Sequence, residues 1–375
     1  MLVILIIGII YFAVMAFFLY GSLRIPVFAT DKTNTTTEFS IVIPFRNEAE
    51  NLPKLLDSIK RLNYPSHLYE VIFIDDASTD NSIALISQTL KGHDIYFDII
   101  QNNRFSASPK KDAITTAVKL ASFEWILTTD ADCVLPVNWL YAYHTIITHR
   151  NPQLIAGPIC FESNGSLLEE FQQMDGFSLQ IATMGGFGLK NPFLCNGANL
   201  AYKKEAFNAL DGFVDNNHIA SGDDIFIMGK IERNYPEKIE YLKSRDAIVV
   251  TRSVQSWKAV LKQRIRWASK TTKQKSLGTK ALGFLIFFTN VLLFIGFALI
   301  FFKIEHASLY ISFLVLKIGI DFVVLWTAAK FFQKPLNFLM FMASSVLYPL
   351  VSTLVVLGSL FGQYEWKGRE YRKNP

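Results

Sequence analysis

Cysteine is almost missing from this chain. Cys133, Cys160 and Cys195 are the three in 375 residues, odd in number, widely spaced and without a Cys-x-x-Cys pair. This excludes a disulfide framework and offers no zinc-ligand spacing. A Gly-x-x-x-x-Gly-Lys-Ser/Thr loop is missing too, which disfavours a P-loop nucleoside-triphosphate hydrolase. No Gly-x-Gly-x-x-Gly follows the first β-branched run, which disfavours a dinucleotide-dependent dehydrogenase. No internal repeat and no low-complexity tract is visible. Charge is sparse: 18% of residues are Asp, Glu, Lys or Arg, and the net charge of +5 is mild. Such a balance favours anionic lipid and phosphate as partners, and no nucleic acid.

Apolar residues are abundant instead, at 51%, with 32 phenylalanines. They concentrate in Met1–Tyr20 and across most of Ala281–Leu360, with a chain of ordinary globular character between. The pattern predicts a soluble domain held between membrane segments. Residues 1–22 are long enough for a transmembrane helix, which needs about 20 residues. A cleaved signal peptide is disfavoured, because neither a basic leader nor a small-x-small cleavage site is present. Arg24 follows this segment and no basic residue precedes it, so the central domain is expected on the cytosolic side of a multi-pass cell-membrane protein. The glycosylation patterns at Asn34 and Asn164 would then be without consequence.

Residues 279–362 are expected to supply two or three further spans. Lys317 and Asp321 lie within one of them, at a spacing that lets them pair on one helix face. Leu336–Leu360 contains Pro349. Three full crossings would leave the basic tail 363–375, with Lys367, Arg369, Arg372 and Lys373, outside the cytosol. A re-entrant hairpin at Leu336–Leu360 is therefore expected.

After a Thr-rich linker, Thr30–Thr37, strands and helices alternate. Phe39–Phe45, Glu70–Asp76, Ile95–Ile100 and Glu124–Asp130 are predicted strands. Asn47–Leu62 has helical spacing, with Leu52, Leu55, Leu56 and Ile59 on one face. Asp80–Leu90, with Asp80 as N-cap, and Lys110–Ala121 are the next predicted helices. Leu154–Phe161 reads as a strand. Leu167–Leu189 reads as a helix that breaks into a mobile loop at its glycines. The alternation implies an α/β fold with a mostly parallel sheet and helices on both faces, residues 38–250, whose ligands bind beyond the carboxyl ends of the strands. Residues 251–278 follow as a basic amphipathic helix suited to a membrane interface.

Acidic pairs fall at those strand ends. Asp130 and Asp132 flank one alanine. On an extended chain they would point the same way, and two hard oxygen ligands suit Mg²⁺ or Mn²⁺ completed by substrate phosphates; a solvated turn is the other reading. Asp75 and Asp76 end the second strand, where a carboxylate can accept from a nucleoside or merely close a turn. Lys110 and Lys111 open a helix, either to meet a phosphate or to face solvent. Asp223 and Asp224 follow Gly222, as a helix cap or as a general base. Gln263, Arg266 and Trp267 share one face of the amphipathic helix, as membrane packing or as a cation and an indole presented to a phosphate-bearing site.

In this order, "IDD", "DAD", "GDD" and "QRIRW" leading into apolar spans, the chain resembles the membrane-bound branch of the family 2 glycosyltransferases. That branch has the GT-A fold, a Rossmann-like mostly parallel sheet, and includes ceramide glucosyltransferase and the cellulose and hyaluronan synthases. "IVIPFRNEAENL", "GANLAYKKEAF" and "WKGREY" are similar to family segments as well. The resemblance spans Phe39–Trp267. It implies an inverting transfer from a UDP- or GDP-sugar to a lipid or glycan hydroxyl. It assigns Asp75, Asp76, Pro44, Arg46 and Glu48 to the nucleotide and Lys110 or Lys111 to the diphosphate. It further implies Asp130 and Asp132 on a Mg²⁺ or Mn²⁺ ion, Asp224 with Asp223 as the base, and Gln263, Arg266 and Trp267 over the diphosphate. Processive synthases have Thr-Glu-Asp where this chain has Gly222-Asp223-Asp224. A single transfer to a lipid or lipid-linked acceptor is therefore expected over polymer synthesis. A silent nucleotide-binding scaffold is disfavoured, since every acidic pair is kept.

Overall fold

The structure is a computed structural model of the chain. It describes residues 2–33, 35–217, 219, 221–273, 277–301, 307–360, 363–366 and 369–372. Asn34, Lys367 and Lys373, used above, lie outside them. The chain divides into two compact units, one of Arg24–Cys160 with Gly186–Arg252, the other of Met1–Leu23, Phe161–Gly185 and Ser253–Pro375.

After helix α1 (Leu2–Arg24), which belongs mainly to the second unit, the alternation begins. Its elements are β1 (Phe39–Phe45), α2 (Leu52–Lys60), β2 (Tyr69–Asp75), α3 (Ser82–Leu90), β3 (Tyr96–Gln101), α4 (Pro109–Leu120) and β4 (Trp125–Thr128). There follow β5 (Cys133–Val134), α5 (Trp139–Arg150), β6 (Leu154–Ala156), β7 (Ile159–Phe161) and α6 (Leu167–Gly188). The first unit closes with β8 (Leu200–Lys203), α7 (Lys204–Ala209), α8 (Asp223–Asn234), β9 (Ile239–Tyr241) and β10 (Val249–Thr251).

Seven strands form one sheet in the order β3-β2-β1-β4-β8-β6-β9. β3, β2, β1 and β4 run parallel; β8 is antiparallel to both β4 and β6, and β9 is parallel to β6. Every residue of β2 is buried, as a central parallel strand covered on both faces requires. One face packs Phe39, Ile41, Ile43 and Phe45 against Leu52, Leu55, Leu56 and Ile59 of α2, with Ile86 of α3 and Trp139 and Tyr143 of α5. The expected face of α2 is thus the buried one, although the helix starts at Leu52, five residues later than its spacing predicts; Asn47 itself takes φ 51°, outside helical geometry. The predicted strand Leu154–Phe161 is split into β6 and β7. Asn199 is the polar centre of this unit. Fully buried, it donates to the carbonyls of Pro158 and Ala247 and accepts from Trp139 Nε1 and Tyr143 Oη.

The second unit holds α1, the first nineteen residues of α6, α9 (Trp257–Lys273), α10 (Leu277–Phe301), α11 (Ala307–Phe332) and α12 (Phe338–Leu360), with a hairpin of β11 (Gln363–Trp366) and β12 (Arg369–Arg372). Among the described residues, four helices are long and apolar enough to cross a membrane: Ile4–Arg24, Gly278–Gly296, Ala307–Phe332 and Phe338–Ser359.

Four expectations change here. α6 does not break at its glycines, because Gly185 packs on the backbone of Phe18, where a Cβ would come within 2.6 Å of the carbonyl oxygen. Phe171 meets Trp257 and Tyr348, and Phe177 stacks on Phe332, so residues 161–185 join the apolar unit and interrupt the continuous 38–250 span. Phe338–Leu360 is one unbroken helix through Pro349, in place of the hairpin expected at Leu336–Leu360. The basic helix α9 is not wholly a surface element: Val260 packs with Phe171 and Val351, and Arg264 is buried with Nη2 2.5 Å from Asp175 Oδ2. Lys317 and Asp321 pair at 2.7 Å as expected, and Tyr11 of α1 donates to Asp321 at 2.6 Å.

Candidate active site

The carboxyl ends of β1, β2 and β4 lie along one edge of the sheet, and the loops leaving them are laced together by short polar side chains. Asn47 Oδ1 accepts from the Thr79 N–H, and the Asn47 N–H donates to Ser78 Oγ. The Glu48 N–H donates to Ser82 Oγ, and the Ala49 N–H to Asp80 Oδ2. Asp80 also accepts from the Ser82 N–H, but it stands one residue before the N-cap expected of it: α3 starts at Ser82 and its N-cap position is Asn81. Pro44 occupies β1 beside Ile74 of β2.

Asp75 and Asp76 are both buried. Asp75 Oδ1 accepts from the Ser78 N–H and so closes the turn. Asp76 Oδ1 accepts from Asn102 Nδ2 at 2.8 Å and lies 3.5 Å from Arg104 Nη1, while Arg46 Nη1 donates to the Asp76 carbonyl at 2.7 Å. Asn102 and Arg104 escaped the sequence reading. They sit in "NNRF" after β3, a polar loop without a periodic or paired signal. Two polar atoms here, Arg46 Nε and Asn102 Oδ1, are buried without a hydrogen-bond partner.

α4 opens with Pro109, whose fixed φ suits the first helical position. Asp112, in its first turn, accepts from the N–H groups of Phe105 and Ser106 and from Ser106 Oγ. This fixes the backbone at Lys110 and Lys111, and the two lysines then diverge. The Lys110 ammonium lies 2.6 Å from Asp130 Oδ1 and 3.4 Å from Asp223 Oδ2. Burial draws its pKa down, but the charges of Asp130 and Asp223 outweigh burial and raise it, so the cation persists. Lys111 is not in this cluster. It is buried, donates to the carbonyls of Asn216 and Ile219, and faces the ring of Phe226 at 4.6 Å. Of the two lysines offered for the diphosphate, only Lys110 stands among the carboxylates.

Asp130 and Asp132 are not on an extended segment. The chain turns between them, and the Cys133 N–H bonds back to the Asp130 carbonyl. Asp132 is raised to about 6, first by burial and then by the negative charges of Asp130 and Glu48. Asp223 and Asp224 begin α8, directly after Gly222 at φ 88°, where the helix N-terminus favours acidic side chains. Asp224 Oδ1 accepts from the Ile225 N–H at 2.9 Å and Oδ2 from the Gly197 N–H at 3.4 Å. Gly197 is the wall of the cluster: a Cβ there would stand 2.8 Å from Asp223 Oδ2 and 3.3 Å from Lys110 Nζ. Glu48, Lys110, Asp130, Asp132, Asp223 and Asp224, spread over 177 positions of sequence, thereby share one electrostatic neighbourhood. Among the described residues no group of three or more His, Cys, Asp or Glu side chains is placed to hold a metal ion.

Gln263, Arg266 and Trp267 belong to α9, in the other unit. The Trp267 indole is covered by the Arg264 guanidinium, 4.3 Å from its ring centre, and lies beside Phe161. Gln263 Oε1 is buried without a hydrogen-bond partner.

Residues 40–210 match the model of Glycosyl transferase family 2. The poly-β-1,6-N-acetyl-D-glucosamine synthase of Staphylococcus epidermidis is 27% identical over 232 residues, which are 61% of this chain and 53% of that protein. Glycosyltransferase AglE of Haloferax volcanii is 23% identical over 195 residues, 52% of this chain and 60% of its own. The chain thus spans little more than half the length of these relatives. Among solved structures, the mannosyltransferase PcManGT of Pyrobaculum calidifontis, in complex with GDP-Man and Mn²⁺, superposes with a TM-score of 0.53 at 14% identity, over 96% of this chain and 95% of that one. The likeness is one of fold.

Proposed function

We propose, from the match of residues 40–210 to the model of Glycosyl transferase family 2, that this chain is a membrane-integral, inverting glycosyltransferase. It moves a sugar from a UDP- or GDP-sugar to a hydroxyl of a lipid or lipid-linked acceptor at the cytosolic membrane face. The observation that carries this reading is the convergence of Asp130, Asp132, Asp223 and Asp224 on Lys110 at the carboxyl edge of the sheet.

Asp76, with Arg46, Asn102 and Arg104 around it, takes the nucleoside. The unpartnered Arg46 Nε and Asn102 Oδ1 supply a donor and an acceptor beside it. Pro44, Glu48 and Asp75 shape that subsite. Asp130 and Asp132 are the residues that would hold Mg²⁺ or Mn²⁺. Two carboxylates, one of them crowded enough to be raised to about 6, fit a divalent cation whose remaining positions go to phosphate oxygens. Such an ion supplies neutralisation of the charge that develops on the departing diphosphate. Lys110 adds a second cation to the same diphosphate. Gln263, Arg266 and Trp267 are proposed for donor binding on their motif alone.

Asp224 is the base. It takes the proton of the acceptor hydroxyl as the hydroxyl oxygen bonds to the anomeric carbon and the bond to the diphosphate breaks with its electron pair. Attack opposite the leaving group inverts that centre. Asp223, bound to Lys110, holds the neighbouring charge in place.

Purified protein in detergent, offered UDP- and GDP-sugars with and without Mn²⁺ or Mg²⁺, should release nucleotide only with the cation. Asp224→Asn should abolish turnover and spare nucleotide binding; undiminished turnover would refute the assignment of the base. A second reading, processive polymer synthesis, is favoured by the kinship to staphylococcal poly-β-1,6-N-acetyl-D-glucosamine synthases. Product length separates the two: a ladder of polymers supports the second, a single addition the first.

A further inference from the structure

Lys110 is the feature of the acidic cluster that the reaction scheme does not fully use. Five carboxylates, those of Glu48, Asp130, Asp132, Asp223 and Asp224, act on this neighbourhood, and one ammonium stands among them. It bridges the two functional groups of acids. One partner, Asp130 at 2.6 Å, is a proposed cation ligand; the other, Asp223 at 3.4 Å, adjoins the proposed base.

The bridge is held from below and open from above. Asp112 and Pro109 fix the start of α4, and Gly197 keeps the space beside the ammonium free of a side chain. The Lys110 side chain is 21% exposed, so it can swing on its four methylenes without moving the helix. Its neighbour Lys111 has no such freedom, being tied to two carbonyls. Asp132 draws little from the ammonium: burial, Asp130 and Glu48 outweigh Lys110 there.

We propose that Lys110 is a resident counter-ion that competes with the divalent cation for Asp130 and moves to the diphosphate when nucleotide and cation arrive together. The proposal rests on the reading that Asp130 and Asp132 hold that cation. A cation arriving alone must displace an ion pair or share Asp130 with a positive charge about as close as any in the site, and it binds weakly. A diphosphate offers the ammonium an equivalent partner, frees Asp130, and the cation binds tightly. Cation and nucleotide thereby tighten each other by the same factor. The bridge also keeps the two acid groups from repelling each other while the site is empty of substrate.

The test is Mn²⁺ binding to the full-length protein in detergent, by titration calorimetry, alone and with saturating UDP or GDP. Lys110→Gln should bind Mn²⁺ alone roughly tenfold tighter than the unaltered protein, as expected on removing one close positive charge. It should also lose most of the tightening that nucleotide brings. Lys110→Arg keeps the charge and should keep the weak affinity for Mn²⁺ alone, which separates charge from damage to the fold. Mn²⁺ affinity unchanged or lowered in Lys110→Gln, with binding still abolished by Asp132→Asn, would overturn the counter-ion and leave the cation site standing. Absence of Mn²⁺ binding in every variant, with and without nucleotide, would overturn both.

Discussion

Replacing Asp132 by Asn should make the substrate-free protein more stable and the enzyme inert. Asp132 is raised from the ordinary 3.8 to about 6, by burial first and by Asp130 and Glu48 next. In the folded protein above pH 6 this carboxylate is therefore ionised against its surroundings. One pKa unit corresponds to about 1.4 kcal/mol, so a shift of about two units is worth up to about 3 kcal/mol. Asp132 is partly open to solvent and its charge is shared with Asp130, which reduces the figure to about 1–3 kcal/mol. The sign follows from proton binding. The folded state holds the extra proton between about pH 4 and pH 6, so the penalty is absent at the acid end, grows through pH 6 and is complete above it. Asn removes the charge at every pH. Thermal unfolding in detergent with a chelator should give Asp132→Asn the higher midpoint at pH 7.5 and a smaller advantage at pH 5. Adding Mn²⁺ and nucleotide should reverse the order, because only the unaltered protein gains from them. A variant that melts lower at pH 7.5 without metal, or a gap that does not change between the two pH values, would refute the charge-crowding argument.

Gly197→Ala should lower sugar transfer at least roughly tenfold while the sheet stays folded, since the new Cβ stands 2.8 Å from Asp223 Oδ2 and displaces the acid; intact turnover with normal circular dichroism would show that the wall can give. Asn199→Ala takes the Asn199 bond from Trp139 Nε1, Tyr143 Oη and the Ala247 carbonyl, while the Pro158 carbonyl keeps the Val249 N–H; it should cost about 3 kcal/mol in denaturant unfolding, and a loss under about 1 kcal/mol would discredit the hub. Lys317→Met should destabilise by about 3 kcal/mol by stranding the Asp321 charge, and adding Asp321→Asn should recover most of it. A double-mutant cycle on thermal midpoints reads the coupling, and additive losses would mean the pair contributes nothing.

How much of this was visible in the residues varies along the chain. β1, β2 and β4 announce themselves as β-branched and aromatic runs because they are central and covered on both faces. The acidic pairs are conspicuous because they interrupt such runs where strands end. The far side of the sheet was harder. β6, β8 and β9 are three or four residues long, too short for a period to emerge, and their mixed directions depend on contacts remote in sequence. α6 was misread at its glycines because their meaning is close approach to Phe18, not a break. Asn102, Arg104 and the divergence of Lys110 from Lys111 were hidden for a related reason: adjacent side chains on a helix start face opposite surroundings, and only the fold decides which lysine meets the acids. Arg264 looked like one more surface cation, although Asp175, 89 positions earlier, draws it inside.

The Lys317–Asp321 pair carries a consequence for biogenesis. Because the two residues are one helical turn apart, they can neutralise each other as soon as that turn has formed, before any other helix is present. A segment entering a bilayer would thus present one dipole in place of two charges, at a small fraction of the insertion cost. Tyr11, made some three hundred residues earlier, completes the set only afterwards. Moving either charge by two positions would leave the composition of the segment untouched and separate the partners around the helix, so insertion efficiency should fall with spacing alone.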